Sequence, residues 1–163
     1  MGGRVRALVL STLAFTTCFA VWGLISPLAP TFRELYGLSG AQAGLLVALP
    51  VLLGSLLRLP LGILADRYGG RLVFTLLLLG LLLPVGLAGM TSSYATLLAV
   101  SLVLGVAGAS FAVGAPFVAA WWPPDRQGLA LGVYGMGNFG TAISSFLAPK
   151  LADSLGWRTT FWV

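Results

Sequence analysis

One arginine lies in a part of the sequence that is otherwise apolar. Arg58 directly follows the charge-free run 35–57, and the next charge, Asp66, comes about 12 Å further along a helix. An arginine at the centre of a bilayer costs roughly 2.5–3.5 kcal/mol on insertion scales, so it usually has a function. A guanidinium is planar, permanently charged and able to donate parallel N–H bonds, which suits a small planar anion. The alternative is an arginine that snorkels to the headgroups, but Gly54 and Gly62 to either side favour a cavity around its side chain.

A second group of polar residues follows helical spacing later in the chain. At 100° per residue, four polar side chains fall within about 60° of one another: Tyr134, Asn138, Thr141 and Ser145. An amide in mid-membrane needs a partner, so we expect Asn138 either to line a cavity or to form an interhelical hydrogen bond. An adjacent stripe consists of small residues: Gly128, Gly132, Gly135 and Ala142. We expect Gly135 and Gly137 to meet either close neighbours or cavity space.

Aromatic side chains follow helical spacing near the start of the chain. Phe15, Phe19 and Trp22 are spaced four and three residues apart, so they share one helix face. Such a face could hold a flat anion and exclude water, or it could pack against other helices or lipid. A later segment has a face that would let a neighbouring helix approach closely. Its small residues are Ser101, Gly105, Gly108, Ala109, Ala112, Ala115 and Ala119.

Several groups that catalysis or metal binding would need are missing. The sequence has no histidine and a single cysteine, Cys18, and we find no pairing of a nucleophile with a base. The four acidic residues all lie at the edges of the apolar runs: Glu34, Asp66, Asp125 and Asp153. We therefore expect no enzyme activity, no metal and no cofactor. A proton relay built from carboxylates or histidines cannot be formed within this chain.

Composition places the chain in a membrane. Of its 163 residues, 58% are hydrophobic and 8% are charged, and the mean hydropathy is +1.00. Soluble domains carry roughly 25% charged residues, so a soluble enzyme is excluded. The net charge of +5 indicates membrane topology rather than binding to a nucleic acid. The expected surroundings are the lipid bilayer.

The charge-free runs predict five spanning helices and the start of a sixth. A spanning helix needs about 20 apolar residues, and the long run 72–124 is divided by a small polar turn at 91–94. The predicted helices cover about 7–29, 41–64, 72–90, 95–120 and 128–148, with an incomplete sixth at 157–163. Because the sequence stops inside a helix pattern, we expect it to be the N-terminal half of a longer protein that also has a C-terminal half.

The basic residues predict the orientation of these helices. One side collects Arg4, Arg6, Arg67, Arg71 and Arg126, and the other collects Arg33, Lys150 and Arg158. Since basic residues are retained on the cytoplasmic side, the N-terminus is expected to be cytoplasmic.

The connection between the second and third helices resembles the signature loop of the major facilitator superfamily. The residues that carry the resemblance are Gly62, Asp66, Arg67, Gly69, Gly70 and Arg71. Glycines permit a tight reversal, Asp66 and Arg67 can pair or cap helix ends, and Arg71 holds the loop on the cytoplasmic side. The same order of Asp, Arg and Gly returns at 125–128, between the fourth and fifth helices.

The fifth helix is similar to the glycine- and asparagine-rich signature of the nitrate/nitrite porter family. The matching residues are Gly132, Gly135, Gly137, Asn138, Gly140 and Thr141, followed by Ala148 and Pro149. Segments 105–112 and 122–128 resemble the same family. The family's second signature would lie in a C-terminal half.

The resemblance implies an all-α membrane transporter whose six-helix half is built from two inverted three-helix repeats. It implies nitrate or nitrite transport by alternating access in the bacterial inner membrane. In this family an arginine at the place of Arg58 binds the anion, and Phe111 matches an aromatic position. The candidate substrate-binding residues are Arg58, Asn138, Phe111, Phe19, Trp22, Tyr134 and Thr141. The alternatives are transport of another small organic or inorganic anion, and a non-transporting membrane sensor on the same fold.

Overall fold

The computed structural model describes residues 2–163, and this part of the chain contains helices and connecting turns but no strand. The α-helices are α1 Gly3–Trp22, α2 Ile25–Tyr36, α3 Gly40–Tyr68, α4 Gly70–Ala88, α5 Tyr94–Leu104, α6 Ser110–Ala120, α7 Gln127–Gly135, α8 Phe139–Leu155 and α9 Trp157–Thr160. Short 3₁₀ helices occupy Gly105–Ala109, Pro124–Arg126 and Met136–Asn138. The all-helical membrane fold predicted from the composition is confirmed.

The helices join into five long rods. Four are long and apolar enough to cross a membrane: Gly3–Tyr36, Gly40–Tyr68, Gly70–Ala88 and Tyr94–Ala120. The fifth rod, 127–155, consists of α7, a 3₁₀ turn and α8, and it contains five glycines. Several rods extend beyond the predicted apolar cores because polar residues continue the helices, as in the first rod, which runs from 3 to 36.

Charges collect at the two ends of the bundle. One end, the Asp66 end, carries the turn between α3 and α4, and Arg6 and Arg71 line one cavity there. The opposite end, the Arg33 end, carries the end of α2, and Arg158 of α9 reaches the Thr91 carbonyl there. The fold thus separates these basic residues into the two groups that the sequence predicted, one at each end of the bundle.

Two close crossings hold the rods together. Where α1 crosses α8, a Cβ on Gly140 would collide with the Thr16 carbonyl and would lie 2.7 Å from the Ala20 nitrogen. Where α3 crosses the Gly105–Ala109 turn, a Cβ on Gly54 would lie 2.7 Å from the Gly105 carbonyl oxygen. Backbones can approach this closely only where the side chain is absent, as in other membrane helix pairs.

The turn between α3 and α4 reverses the chain through one residue. Gly69 has φ +89°, a conformation that side chains with a Cβ rarely adopt. A Cβ on Gly70 would lie 2.6 Å from Cβ of Phe117, so this glycine lets α4 start against α6. Within residues 2–163, Asp66 and Arg67 are exposed and form no ion pair, and the Arg67 guanidinium lies over the Tyr68 ring, 5.5 Å from its centroid.

Candidate functional site

Arg58 lies in the second half of α3, which is long and apolar enough to cross a membrane. It is ten residues, or about 15 Å, from the end of the helix at Tyr68. Its side chain is exposed and forms no hydrogen bond or ion pair with any other residue in 2–163. A cation at this depth is therefore available to a group outside the described residues.

The helix α3 presents two different faces to its surroundings. At 100° per residue, one stripe within about 60° of Arg58 is small or short: Gly44, Val51, Ser55 and Gly62. The strongly exposed branched side chains lie about 100–160° away from Arg58: Leu52, Leu56, Leu59 and Ile63. Leu59, at 73% exposure, is typical of a lipid-facing residue. Arg58 thus lies on the small-residue stripe and not on the leucine face.

The packing of α3 places Arg58 level with Phe111. Gly54 packs on Gly108, and a Cβ on Gly62 would lie 4.0 Å from the Ala112 carbonyl oxygen. Since Arg58 is midway between Gly54 and Gly62 in the sequence, it lies between these two levels. The Phe111 ring is 41% exposed even though its edge packs against Phe15, with ring centroids 5.6 Å apart. A partly exposed aromatic ring therefore lies at the depth of the free guanidinium.

An open cavity of about 290 Å³ begins on the Arg33 side of this level. Its lining includes Trp22, Val51, Thr141 and Ser145. Val51 belongs to the same stripe of α3 as Arg58, about 10 Å away along the helix. The stripe that carries Arg58 therefore leads into a groove between the first, second and fifth rods.

Trp22 connects three rods at this cavity. Its indole N–H donates to the Pro50 carbonyl at 3.5 Å, and a Cβ on Gly108 would lie 3.0 Å from its Nε1 atom. The first rod breaks directly after it, at Gly23 and Leu24. Trp22 is half-buried, so one part of the ring packs and another part lines the cavity.

Tyr134 is not on the face where the helical wheel placed it. Its side chain is fully buried, its hydroxyl donates to the Ser110 carbonyl at 3.1 Å, and its ring stacks on Phe15 with centroids 4.8 Å apart. Phe19 is also buried and packs on Phe15 at 4.3 Å. These rings form the interior support for Phe111 and do not reach the open face.

Asn138 and Thr141 are bonded within their own rod. The Asn138 amide donates to the Gly135 carbonyl at 2.9 Å, and the Thr141 hydroxyl donates to the Asn138 carbonyl at 2.8 Å. Asn138 is exposed and makes no interhelical hydrogen bond to the other residues in 2–163. Its amide oxygen and one remaining N–H are free to meet a ligand.

The glycines of the fifth rod divide into two sets. A Cβ on Gly137 would collide with the Phe15 ring, and Gly140 lies against the backbone of α1. Gly132 and Gly135 have nothing within 4 Å of a Cβ, so they face open space. The open set lies on the side that has no neighbour within the described chain.

The wheel of the fifth helix identified Ser145, but sequence reasoning missed Ser26 and Val51. Both line the cavity next to Thr141. Val51 could have been found from its spacing of seven residues before Arg58, which returns to the same helix face. Ser26 had no such signal because the break after Trp22 changes the direction of the rod.

The arrangement suits an anion better than a metal ion. The exposed guanidinium of Arg58, the Asn138 amide and the serine hydroxyls of the cavity offer N–H and O–H donors. Within residues 2–163, no group of three or more His, Cys, Asp or Glu side chains is placed to hold a metal ion.

Comparison with known proteins finds relatives whose names all refer to nitrate or nitrite. The "Probable nitrate/nitrite antiporter NarK1" of Thermus thermophilus is 49% identical over 93% of this chain and 34% of its own length. The "Probable nitrate/nitrite transporter NarK2" of Mycobacterium tuberculosis is 44% identical over 98% of the chain and 41% of its own length. The "Probable nitrate transporter NarT" of Staphylococcus aureus is 42% identical over 94% of the chain and 39% of its own length.

The chain spans only about a third to two fifths of the length of these relatives. Their names agree with the resemblance found in the fifth helix. Residues 10–163 match the Major Facilitator Superfamily, which is nearly the whole sequence. This chain is therefore an integral membrane protein that belongs to the major facilitator superfamily.

Proposed function

We propose that this chain is the N-terminal half of a secondary transporter that moves nitrate or nitrite by alternating access. The relatives that bear these substrates in their names are 42–49% identical over nearly all of the chain. The C-terminal half of the same transporter would cover the small-residue stripe of α3 and the open glycines of the fifth rod. Transport, rather than catalysis, is the activity of such a protein.

The observation that carries this proposal is the free guanidinium of Arg58 on a helix long and apolar enough to cross a membrane. Arg58 lies on the small-residue stripe, level with Phe111, and without a counter-charge among residues 2–163. A fixed cation in a poorly hydrated site is the strongest compensation for an anion that has lost its water. Its fork of N–H donors can bond two oxygens of nitrate or nitrite at once.

The other exposed residues have complementary roles in this proposal. The Asn138 amide, which has one N–H free, supplies a hydrogen bond from the fifth rod, and Thr141 lines the cavity one turn away. Phe111 offers its ring to the flat face of the anion, and Trp22 forms part of the wall of the cavity of about 290 Å³ on the Arg33 side. Tyr134 and Phe19 hold Phe111 in place from the interior, since both are buried against Phe15.

The proposed orientation puts the N-terminus and the Asp66 end in the cytoplasm of a bacterial cell. The Asp66 end carries more of the basic residues than the Arg33 end, as cytoplasmic sides do. A membrane-impermeant thiol reagent applied to intact cells should label cysteines at 33 and 153 but not at 67 and 126. Labelling at 67 under these conditions would reverse the orientation.

Uptake of nitrate or nitrite into proteoliposomes tests the function. In the complete transporter, Arg58→Ala should abolish uptake without lowering the amount of inserted protein, because removing an intramembrane charge makes insertion easier. Arg58→Lys should weaken binding severely, since lysine keeps the charge but loses the fork.

The matched control for this assay is Arg4→Ala. Arg4 is exposed at the Asp66 end, where its guanidinium lies 5.4 Å from the centroid of the Trp122 ring, so it is remote from the groove. Its loss should leave the affinity for nitrate unchanged. Full uptake by Arg58→Ala would contradict the proposed function.

A further inference from the structure

A second cavity opens at the Arg33 end, between α2 and the start of α3. It has a volume of about 680 Å³. Its lining is Ser26, Ala29, Pro30, Arg33, Glu34, Gly37, Leu38 and Ala43. Ser26 also lines the 290 Å³ cavity that contains Trp22, Thr141 and Ser145. The two cavities therefore meet at one serine.

One stripe of α2 joins the two cavities. Ser26, Pro30 and Arg33 are spaced four and three residues apart, so they share a helix face. All three are exposed. Arg33 lies about 10 Å from Ser26 along the axis, and Val51 lies a similar distance from Arg58. A line of exposed residues, with Arg33 and Ser26 as its polar members, thus runs from the rim of the bundle toward the level of Arg58.

Arg33 differs from the other two basic residues at this end of the described chain. The Lys150 ammonium lies over the Phe146 ring, 3.5 Å from its centroid. The Arg158 guanidinium donates to the Thr91 carbonyl at 3.1 Å and covers the Trp157 ring. The Arg33 side chain forms no ion pair or hydrogen bond within residues 2–163, and it lines a cavity.

We propose that Arg33 forms an outer binding station for small inorganic monoanions on the way to Arg58. This inference rests on the proposed function, because it assigns a further site to the same substrate. The station attracts the anion at the mouth of the groove and passes it to the deeper cavity through Ser26.

The carboxylate of Glu34, next to Arg33, lowers the affinity of this station for an anion. Glu34 lines the same cavity as Arg33, so its negative charge opposes the binding of an anion there. A transit site must release its ligand, and an anion held by Arg33 alone would leave more slowly. The two adjacent residues therefore have opposite effects on the same ligand.

Two serine hydroxyl groups that donate no hydrogen bond line the proposed path between Arg33 and Arg58. Ser26 and Ser145 line the 290 Å³ cavity, and neither side chain donates a hydrogen bond within residues 2–163. Each can donate an O–H to a passing anion. The wall between Arg33 and Arg58 thus provides donors as well as space.

Initial rates of nitrate uptake by the complete transporter test the station. The proteoliposomes should have the Arg33 end outward, and the ionic strength should be about 10 mM, where the Debye length is about 30 Å. Arg33→Gln should raise KM about threefold to tenfold and leave the maximal rate unchanged. Glu34→Gln should lower KM, and both shifts should shrink at about 1 M salt.

Lys150→Gln is the matched control, because it removes one positive charge from the same end without touching either cavity. A KM for Arg33→Gln equal to that of Lys150→Gln would overturn the station, as would shifts of the same sign for Arg33→Gln and Glu34→Gln. Arg58→Ala is measured in parallel. Abolished uptake by Arg58→Ala together with an unchanged KM for Arg33→Gln rejects the station alone, whereas full uptake by Arg58→Ala rejects the proposed function itself.

Discussion

The crossings between rods and the face that carries Arg58 use glycine in different ways. At the crossing of α1 and α8, a Cβ on Gly140 would collide with the Thr16 carbonyl. On the open side of the same rod, Gly132 and Gly135 have nothing within 4 Å of that position. The first kind of glycine lets two backbones touch, and the second kind leaves the surface of the fifth rod open near Asn138.

Polar groups follow the same division. At the crossing of α1 and α8, the Ser144 hydroxyl is satisfied inside the bundle, because it donates to the Ala20 carbonyl of the neighbouring rod. On the open face, Arg58 and Ser145 have side chains that donate to nothing within residues 2–163. The bundle is therefore held together by one set of residues and leaves another set free for a ligand.

The largest expected effect is at the crossing of α1 and α8. Gly140→Val should destabilise the protein by about 3 kcal/mol or more, because the added carbons have no room between two backbones. Gly80→Val in α4 is the control, because nothing lies within 4 Å of a Cβ on Gly80, and it should change stability little. Thermal unfolding in detergent measures both. Equal melting temperatures for the two variants would contradict the division between packed and open glycines.

A smaller loss is expected at the crossing of α3 with the fourth rod. A Cβ on Gly105 would lie 2.8 Å from Cα of Pro50. Gly105→Ala should therefore cost about 1–3 kcal/mol, even though alanine favours a helix by about 1 kcal/mol. Gly44→Ala in α3 faces open space and should be neutral or stabilising. The same unfolding assay applies, and a stabilised Gly105→Ala would show that the crossing can relax.

The helices could be predicted because they depend on local composition. Apolar runs bounded by charges specify membrane helices, and the small residues around Arg58 distinguish its face from the leucine face. The breaks at Gly23 and at Gly105–Ala109 could not be predicted in this way. They arise where the first and fourth rods pack on each other, with Trp22 over Gly108.

The position of Tyr134 shows how such a break misleads a helical wheel. The wheel assumed 100° per residue from 134 to 145, but Met136–Asn138 is a 3₁₀ turn. A 3₁₀ helix advances 120° per residue, so three residues add about 60° of rotation. Tyr134 is therefore turned into the interior, while Asn138 is exposed.

The smallest expected effect tests this interior placement. Tyr134→Phe removes the hydroxyl that donates to the Ser110 carbonyl and should cost about 1 kcal/mol of stability. Because the ring is buried behind Phe111, the KM for nitrate should stay the same. Tyr94→Phe, which loses a hydrogen bond to the exposed Gln42 carbonyl, is the control and should cost less. A large rise in KM for Tyr134→Phe would show that Tyr134 belongs to the binding site.

Cysteine accessibility tests most directly the central claim that the stripe of Arg58 faces the substrate path. Cys18, the single cysteine of this sequence, is buried, and it can be replaced by alanine together with any cysteine of the C-terminal half to give a background without thiols. Single cysteines at Val51, Ser55, Arg58 and Gly62 of the complete transporter should react with a water-soluble thiol reagent. Those at Leu52, Leu56, Leu59 and Ile63 should not react, because these positions face lipid.

The same measurement is repeated in the presence of nitrate to test whether the stripe lies in the binding groove. For the cysteine at position 55, which leaves Arg58 intact, bound nitrate should slow the reaction, since it occupies the same groove. The account predicts reactive positions on one stripe of α3 only. Reaction on the leucine face, with an unreactive cysteine at position 58, would show that Arg58 faces lipid and would contradict the account.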